Sequence, residues 1–144
     1  MRALRCVNYG EPRDLKLETM EEPVPGPGEV LIAVEAAGLG YVDALFVRGT
    51  YQVKLPLPFI PGSEIAGTIE AVGEGLSGDL IGNRVMALSS RGALVEKLVL
   101  PAAICSSVPD GMSAEAAAGF LVSYCTALYG FENCGKLQPG ETVL

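Results

Sequence analysis

Two short glycine-bearing turns hold most of the residues whose types could do chemistry: Gly38-Leu39-Gly40-Tyr41-Val42-Asp43 and Pro61-Gly62-Ser63-Glu64. Both fall where strand-like runs end, the places where a β-rich scaffold presents functional side chains. Tyr41 can stack on a planar ligand or donate a hydrogen bond to its oxygen, or it can be a packed aromatic with its hydroxyl in solvent. Asp43 is either a site residue or the hydrogen-bonding aspartate of a helix start. Glu64 suits proton transfer if burial raises its pKa, or else a buried pair with an arginine. Ser63 has nothing to activate it as a nucleophile, because the chain contains no histidine. That absence also removes the commonest general base at neutral pH and any His-containing metal site. Cys6, Cys105, Cys125 and Cys134 are widely separated, with no C-x-x-C pair. They match neither a structural zinc cluster nor a disulfide ladder, so buried free thiols are expected.

These turns need strands to hold them. Residues 2–9 read as a first strand closed by Gly10-Glu11-Pro12, and Leu15 to Thr19 alternates apolar with polar, which makes a hairpin plausible. Three prolines in 22–29 make that stretch a turn or extended linker. Residues 30–37 are nearly all apolar, as a strand buried on both faces requires, and Glu35 is the exception, at a rim or paired. A short helix over 41–48 should face Leu45 and Phe46 inward and end at Arg48-Gly49. Pro56, Pro58 and Pro61 stiffen the loop that follows into a wall over the first turn, with Tyr51 at its start. Residues 65–72 alternate with the period of a strand. Further strands are expected over 82–88, 93–100 and 102–108. Ser113 is a good helix N-cap, with Glu115 in the first turn and a helix running on through the alanines. The apolar stretch 116–131 falls short of the roughly 20 residues a bilayer requires and reads as core or interface.

With 144 residues, 49% of them apolar, the chain suits one domain with an adequate core. Its 18 glycines and 10 prolines exceed the roughly 12% of average usage and favour short strands joined by many turns. A net charge of −7 with no basic run argues against a nucleic-acid partner. The N-terminus moves directly into strand-like residues without the features of a signal peptide, which predicts a cytoplasmic protein with no membrane partner.

The order of short motifs resembles the medium-chain dehydrogenase/reductase superfamily. Alcohol dehydrogenases of that superfamily carry G-x-C-x-[ST]-D and G-H-E turns whose Cys and His bind catalytic zinc. Gly40 stands in place of that Cys and Ser63 in place of that His, and neither replaces a thiolate or imidazole as a ligand. The zinc-free quinone oxidoreductases, the zeta-crystallin-like branch, are more similar, with G-x-N-[PF]-x-D and G-[ST]-[ED] turns. Gly40 and Tyr41 depart from that pattern too. Gly82-Asn83-Arg84-Val85 resembles the G-D-R-V strand, and residues 93–98 resemble G-[GA]-[YF]-A-E-[YF] with Leu94 in place of the aromatic. Only Ser89-Ser90-Arg91-Gly92 stands where zinc-dependent relatives often insert a four-cysteine lobe. Thr126-Ala127-Leu128-Tyr129 resembles the T-A-Y of the linking helix, and 135–144 resembles the segment that begins the first Rossmann strand.

The resemblance implies a mainly β fold, a partly open GroES-like β-barrel with a few short helices and a C-terminal helix leading towards an absent Rossmann domain. Residues 1–125 would form the GroES-like catalytic domain, and 126–144 the linking helix and first strand of the nucleotide-binding domain. Neither Gly73-Glu74-Gly75 nor Gly38-Leu39-Gly40 supplies the phosphate fingerprint, since both lack the third glycine and the strand-to-helix context. The implied activity is zinc-independent, NADPH-dependent reduction of a quinone or enone. Tyr41 and Tyr51 would act on the acceptor, and Gly40, Tyr41, Asp43 and Thr126 would lie against the cofactor, with no metal. A homo-oligomer is expected. The alternative is a free-standing GroES-like binding or structural module, since fold alone does not imply function.

Overall fold

The computed structural model describes residues 1–89 and 92–143. A hairpin opens the chain: β1 (Arg2–Arg5) pairs antiparallel with β2 (Lys16–Thr19), Arg2 facing Thr19 and Arg5 facing Lys16. The first strand stops at Arg5, short of residue 9, because Cys6 turns to bridge Phe59 through reciprocal backbone bonds of 2.8 and 3.1 Å. The remaining strands are β3 (Glu29–Gly38), β4 (Glu64–Val72), β5 (Arg84–Leu88), β6 (Lys97–Pro101) and β7 (Cys105–Ser107). They form one antiparallel sheet in the order β6-β3-β4-β5-β7. The two sheets touch through an Ala3–Val95 bridge without closing.

The core follows the apolar patterning. Val30 and Ile32 of β3, Ile65 and Ile69 of β4 and Val85 and Ala87 of β5 form one buried cluster with Ala93 and Leu100. Glu35 is exposed at the rim and accepts a 2.6 Å hydrogen bond from the Thr68 hydroxyl. The sixth strand begins at Lys97 rather than 93 because residues 93–95 are already engaged. Ala93 and Leu94 donate backbone bonds to Gly62 and Pro61, and Val95 bridges Ala3.

Three helices follow the pattern with two departures. The first, α1 (Tyr41–Arg48), ends as expected on Gly49, which takes a left-handed φ of 66°. Its buried residues are Asp43 and Val47, four apart on one face, while Leu45 and Phe46 are only half-buried. The second, α2 (Ala114–Ala118), is capped by the Ser113 hydroxyl, which accepts from the Ala116 N–H at 3.2 Å. Gly119 ends it, so the expected continuous helix is broken and α3 (Leu121–Leu128) begins anew before a wider π-type turn over Tyr129–Cys134. Buried Ala117 and Ala118 pack α2 onto Ala66 and Met86 of the sheet.

The far side of α3 is uncovered: Tyr124, Leu128 and Tyr129 are all more than half exposed. The expected further strand does not form over Thr142 and Val143, and Leu144 lies outside the described residues, as do Ser90 and Arg91. Among the described residues no helix is long and apolar enough to cross a membrane.

Candidate functional site

Strand pairing brings the two glycine turns together. β3 ends at Gly38 and β4 begins at Glu64, and these two residues face each other as the last pair of the β3–β4 register. The approach is close enough to require glycine, since a Cβ on Gly38 would lie 2.2 Å from the Ala118 carbonyl oxygen. The second turn is also pinned, with the Cβ position of Gly62 (φ 92°) only 2.8 Å from Ala93 Cβ and 3.2 Å from Leu94 Cγ.

Between the turns lies a cavity of about 260 Å³ walled by Leu4, Leu15, Leu39, Val47, Pro61 and Leu94, with Gly40 and Asp43 at one side. The wall is almost wholly apolar. Leu4 and Leu15 come from the N-terminal hairpin, and no local pattern marks them as site residues. Leu94 is legible only as a departure from an aromatic position, and it is held where the Leu94 N–H donates to Pro61 and its carbonyl accepts from Leu4.

Asp43 is buried at 6% exposure, and its Oδ2 accepts from the Gly40 N–H at 2.7 Å. This is the reach-back half of a capping box, a carboxylate at the third helical position satisfying a donor of the first turn. Gly40 has no side chain to return the bond. The helix-start reading of Asp43 is therefore what the geometry displays, while its carboxyl still borders the cavity. Gly38-Leu39-Gly40 does stand between a strand and a helix, contrary to expectation. It still has no third glycine, and the Asp43 carboxylate occupies the N–H that an anion would need.

Glu64 is buried at 8% exposure, and its partner is not an arginine. Its Oε2 accepts from the Val122 N–H at 2.9 Å, at the start of α3. Tyr41, the first residue of α1, is 77% exposed, so it is not packed. Tyr51 is half-buried with its ring 4.6 Å from that of Phe46. Neither tyrosine lines the cavity. Thr126 is exposed on α3, four residues past Val122 and hence on the same helical face.

A catalytic zinc of the alcohol dehydrogenase type does not fit these residues. Gly40 offers no ligand atom, and among the described residues no three His, Cys, Asp or Glu side chains gather so that they could hold a metal ion. The cysteines do not compensate. All four are free, Cys6 is buried and Cys105 half-buried, and burial pushes both thiols up. Cys125 and Cys134 are exposed, contrary to the expectation of buried thiols.

Two unclosed antiparallel sheets, few helices and an apolar cleft where strand ends converge define a GroES-like domain. The chain belongs to the alcohol dehydrogenase GroES-like domain family, whose model matches residues 26–127, and through it to the medium-chain dehydrogenase/reductase superfamily. It is 39% identical over 146 residues to the rat synaptic vesicle membrane protein VAT-1 homolog, covering all of this chain and 36% of that protein. It is 37% identical over 143 residues to mouse quinone oxidoreductase-like protein 2, covering 99% of this chain and 40% of that one. The quinone oxidoreductase of Thermus thermophilus, solved also with NADPH, superposes with a TM-score of 0.84 at 36% identity, covering 98% of this chain and 43% of that one. The chain thus spans about two-fifths of the length of the curated relatives it matches.

Proposed function

We propose that the chain is the catalytic-domain portion of a zinc-independent, NADPH-dependent reductase of quinones or related enones. The observation that carries this reading is the apolar cavity between the two turns, bordered by Gly40 where a metal-binding relative would carry a ligand. The quinone oxidoreductase relatives, one of them solved with NADPH, support it.

NADPH, when bound, supplies a hydride, and a quinone or enone already delocalises the charge it accepts, so no Lewis acid is required. One proton, taken from water as the product leaves the site, completes the two-electron reduction, to the hydroquinone from a quinone or to the saturated carbonyl compound from an enone. What the chain's own residues do is bind, orient and exclude water. Leu15, Leu39, Val47 and Leu94 give a flat apolar acceptor a dry wall. Gly40, bare of side chain, lets the acceptor lie against the backbone, and Asp43 keeps that turn in shape. By the resemblance, and not by the cavity wall, which neither tyrosine joins, Tyr41 donates a hydrogen bond to the acceptor oxygen, Tyr51 borders the entrance, and Thr126 contacts the cofactor beside Gly40, Tyr41 and Asp43. The reading includes a cytoplasmic location and a homo-oligomer.

Steady-state turnover of the full-length gene product with a panel of quinones and enones, using NADPH and NADH in turn, tests the proposal. NADPH-dependent reduction of at least one quinone is expected, with Tyr41→Phe lowering kcat/KM by about tenfold, the worth of one hydrogen bond to developing charge. No turnover with any acceptor would refute it.

A further inference from the structure

Glu64 is the buried carboxylate to which the proposed chemistry assigns no role, and it occupies a junction. Its backbone closes the β3–β4 ladder opposite Gly38. Its side chain reaches the Val122 N–H at 2.9 Å, at the second position of α3. That N–H belongs to the orphaned first turn of a helix, where a negative charge is favoured by the helix dipole as well as by the hydrogen bond. A second contact ties the same parts independently: the Ala118 carbonyl, three residues before α3, closes over Gly38 with no room for a Cβ.

We infer that Glu64 is a positioning residue: its carboxylate locks the start of α3 onto the β3–β4 end, and so sets Thr126 in register with the Gly40 turn. Val122 and Thr126 are four apart, so fixing the N–H of one fixes the rotation and height of the other about the helix axis. Besides that bond, α3 is seated by half-buried Leu121, which packs with Phe120 on the Ala66 and Met86 cluster, and by the stacking of Tyr124 on Phe120 at 4.6 Å. None of its residues is buried, and the loop after Ala118 is a glycine followed by Phe120. Apolar contacts of this kind tolerate sliding and rotation, whereas the Glu64 bond is directional and so selects one orientation of the helix. The functional half of this inference rests on Thr126 contacting the cofactor, as proposed above, while the structural half does not.

The experiment has two arms. In the chain itself, amide hydrogen exchange is followed over 121–128 for Glu64→Leu and Glu64→Gln, with circular dichroism confirming that each variant folds. Leu removes the acceptor and keeps the bulk, whereas Gln retains an acceptor oxygen, so the Val122 amide should exchange at least about tenfold faster in E64L and near the wild-type rate in E64Q. In the full-length gene product, E64L should raise KM for NADPH by about tenfold with kcat changed by less than about threefold, E64Q should restore it, and E64L combined with Thr126→Val should be no worse than E64L alone. Unchanged Val122 exchange in E64L overturns the inference whatever the kinetics. A kcat loss with unchanged KM, or additive effects of E64L and T126V, overturns its functional half. A wild-type enzyme inactive with NADPH refutes the proposed function and, with it, that half, leaving the exchange arm to decide the rest.

Discussion

Replacing Gly38 by alanine puts one methyl group into the tightest contact of the site. The new Cβ would stand 2.2 Å from the Ala118 oxygen and 3.2 Å from Glu64 Cβ, and 3.0 Å is the floor for real contacts. The gap must therefore open by about 0.8 Å, against a backbone carbonyl that cannot swing aside like a side chain. Ala117 and Ala118 are buried against Ala66 and Met86, so α2 gives way only by unpacking. The same movement carries the Val122 N–H away from Glu64, stretching a 2.9 Å bond beyond hydrogen-bond range. Overpacking costs about 1–3 kcal/mol, and a strained bond to a buried carboxylate adds part of a further ~1.5–3 kcal/mol. A total of about 2–4 kcal/mol corresponds to a fall in Tm of roughly 6–12 °C for a chain of this size. Urea unfolding followed by circular dichroism reads the change, with Gly78→Ala as control, since a Cβ there meets nothing within 4 Å. Gly38→Ala unfolding at the wild-type midpoint, or Gly78→Ala falling as far, would refute the reasoning.

Acid should weaken the fold by a stated route. A hydrogen bond from Arg48 holds Glu11 below the usual glutamate range, one from Lys97 does the same for Glu22, and the Arg2 backbone N–H leads for Glu96. Because these native values are depressed, their contribution is fully present above the ordinary value of 4.5 and is lost as pH falls through the lowered values. Urea midpoints measured down the pH scale should drop below that value, and Glu22→Gln with Glu96→Gln should flatten the drop at low salt. Thiol labelling should be ordered by exposure: Cys125 and Cys134 react first, and Cys6 only as the chain unfolds. Labelling of Cys6 as fast as Cys125 in the native chain would contradict its burial.

Much of the fold was legible because the residues that carry it act locally. The alternation of 65–72 and the apolar run of 30–37 mark strands, though not how many faces each buries, since β4 is buried at four successive residues from Glu64 to Gly67 and β3 fully only from Val30 to Ile32. Gly49 ends a helix by its left-handed backbone and Ser113 starts one by its hydroxyl. What could not be read depends on partners distant in sequence. The face of α1 that turns inward packs Val47 against Cys6 and Phe59, residues distant in sequence, so Val47 rather than Phe46 is buried. β6 starts late because the Pro61-Gly62 turn takes the backbone of Ala93 and Leu94 first. The pairing of Gly38 with Glu64 lies in the register of two strands, and the partner of Glu64 is a main-chain N–H, which no side-chain pattern announces. Of the candidate site, the two turns that the β3–β4 register brings together were legible. The leucine wall that gives those turns an apolar cleft was not.

If the cleft passes two electrons to an apolar acceptor without a metal, as proposed, activity does not depend on zinc. NADPH oxidation by the full-length gene product with a reactive quinone should be followed after exhaustive dialysis against chelator, with residual zinc counted per subunit, and again after zinc is restored. Equal kcat before and after zinc is restored, with zinc far below one per subunit in the dialysed enzyme, is the predicted result. Activity that disappears with the metal and returns in proportion to it would contradict the account.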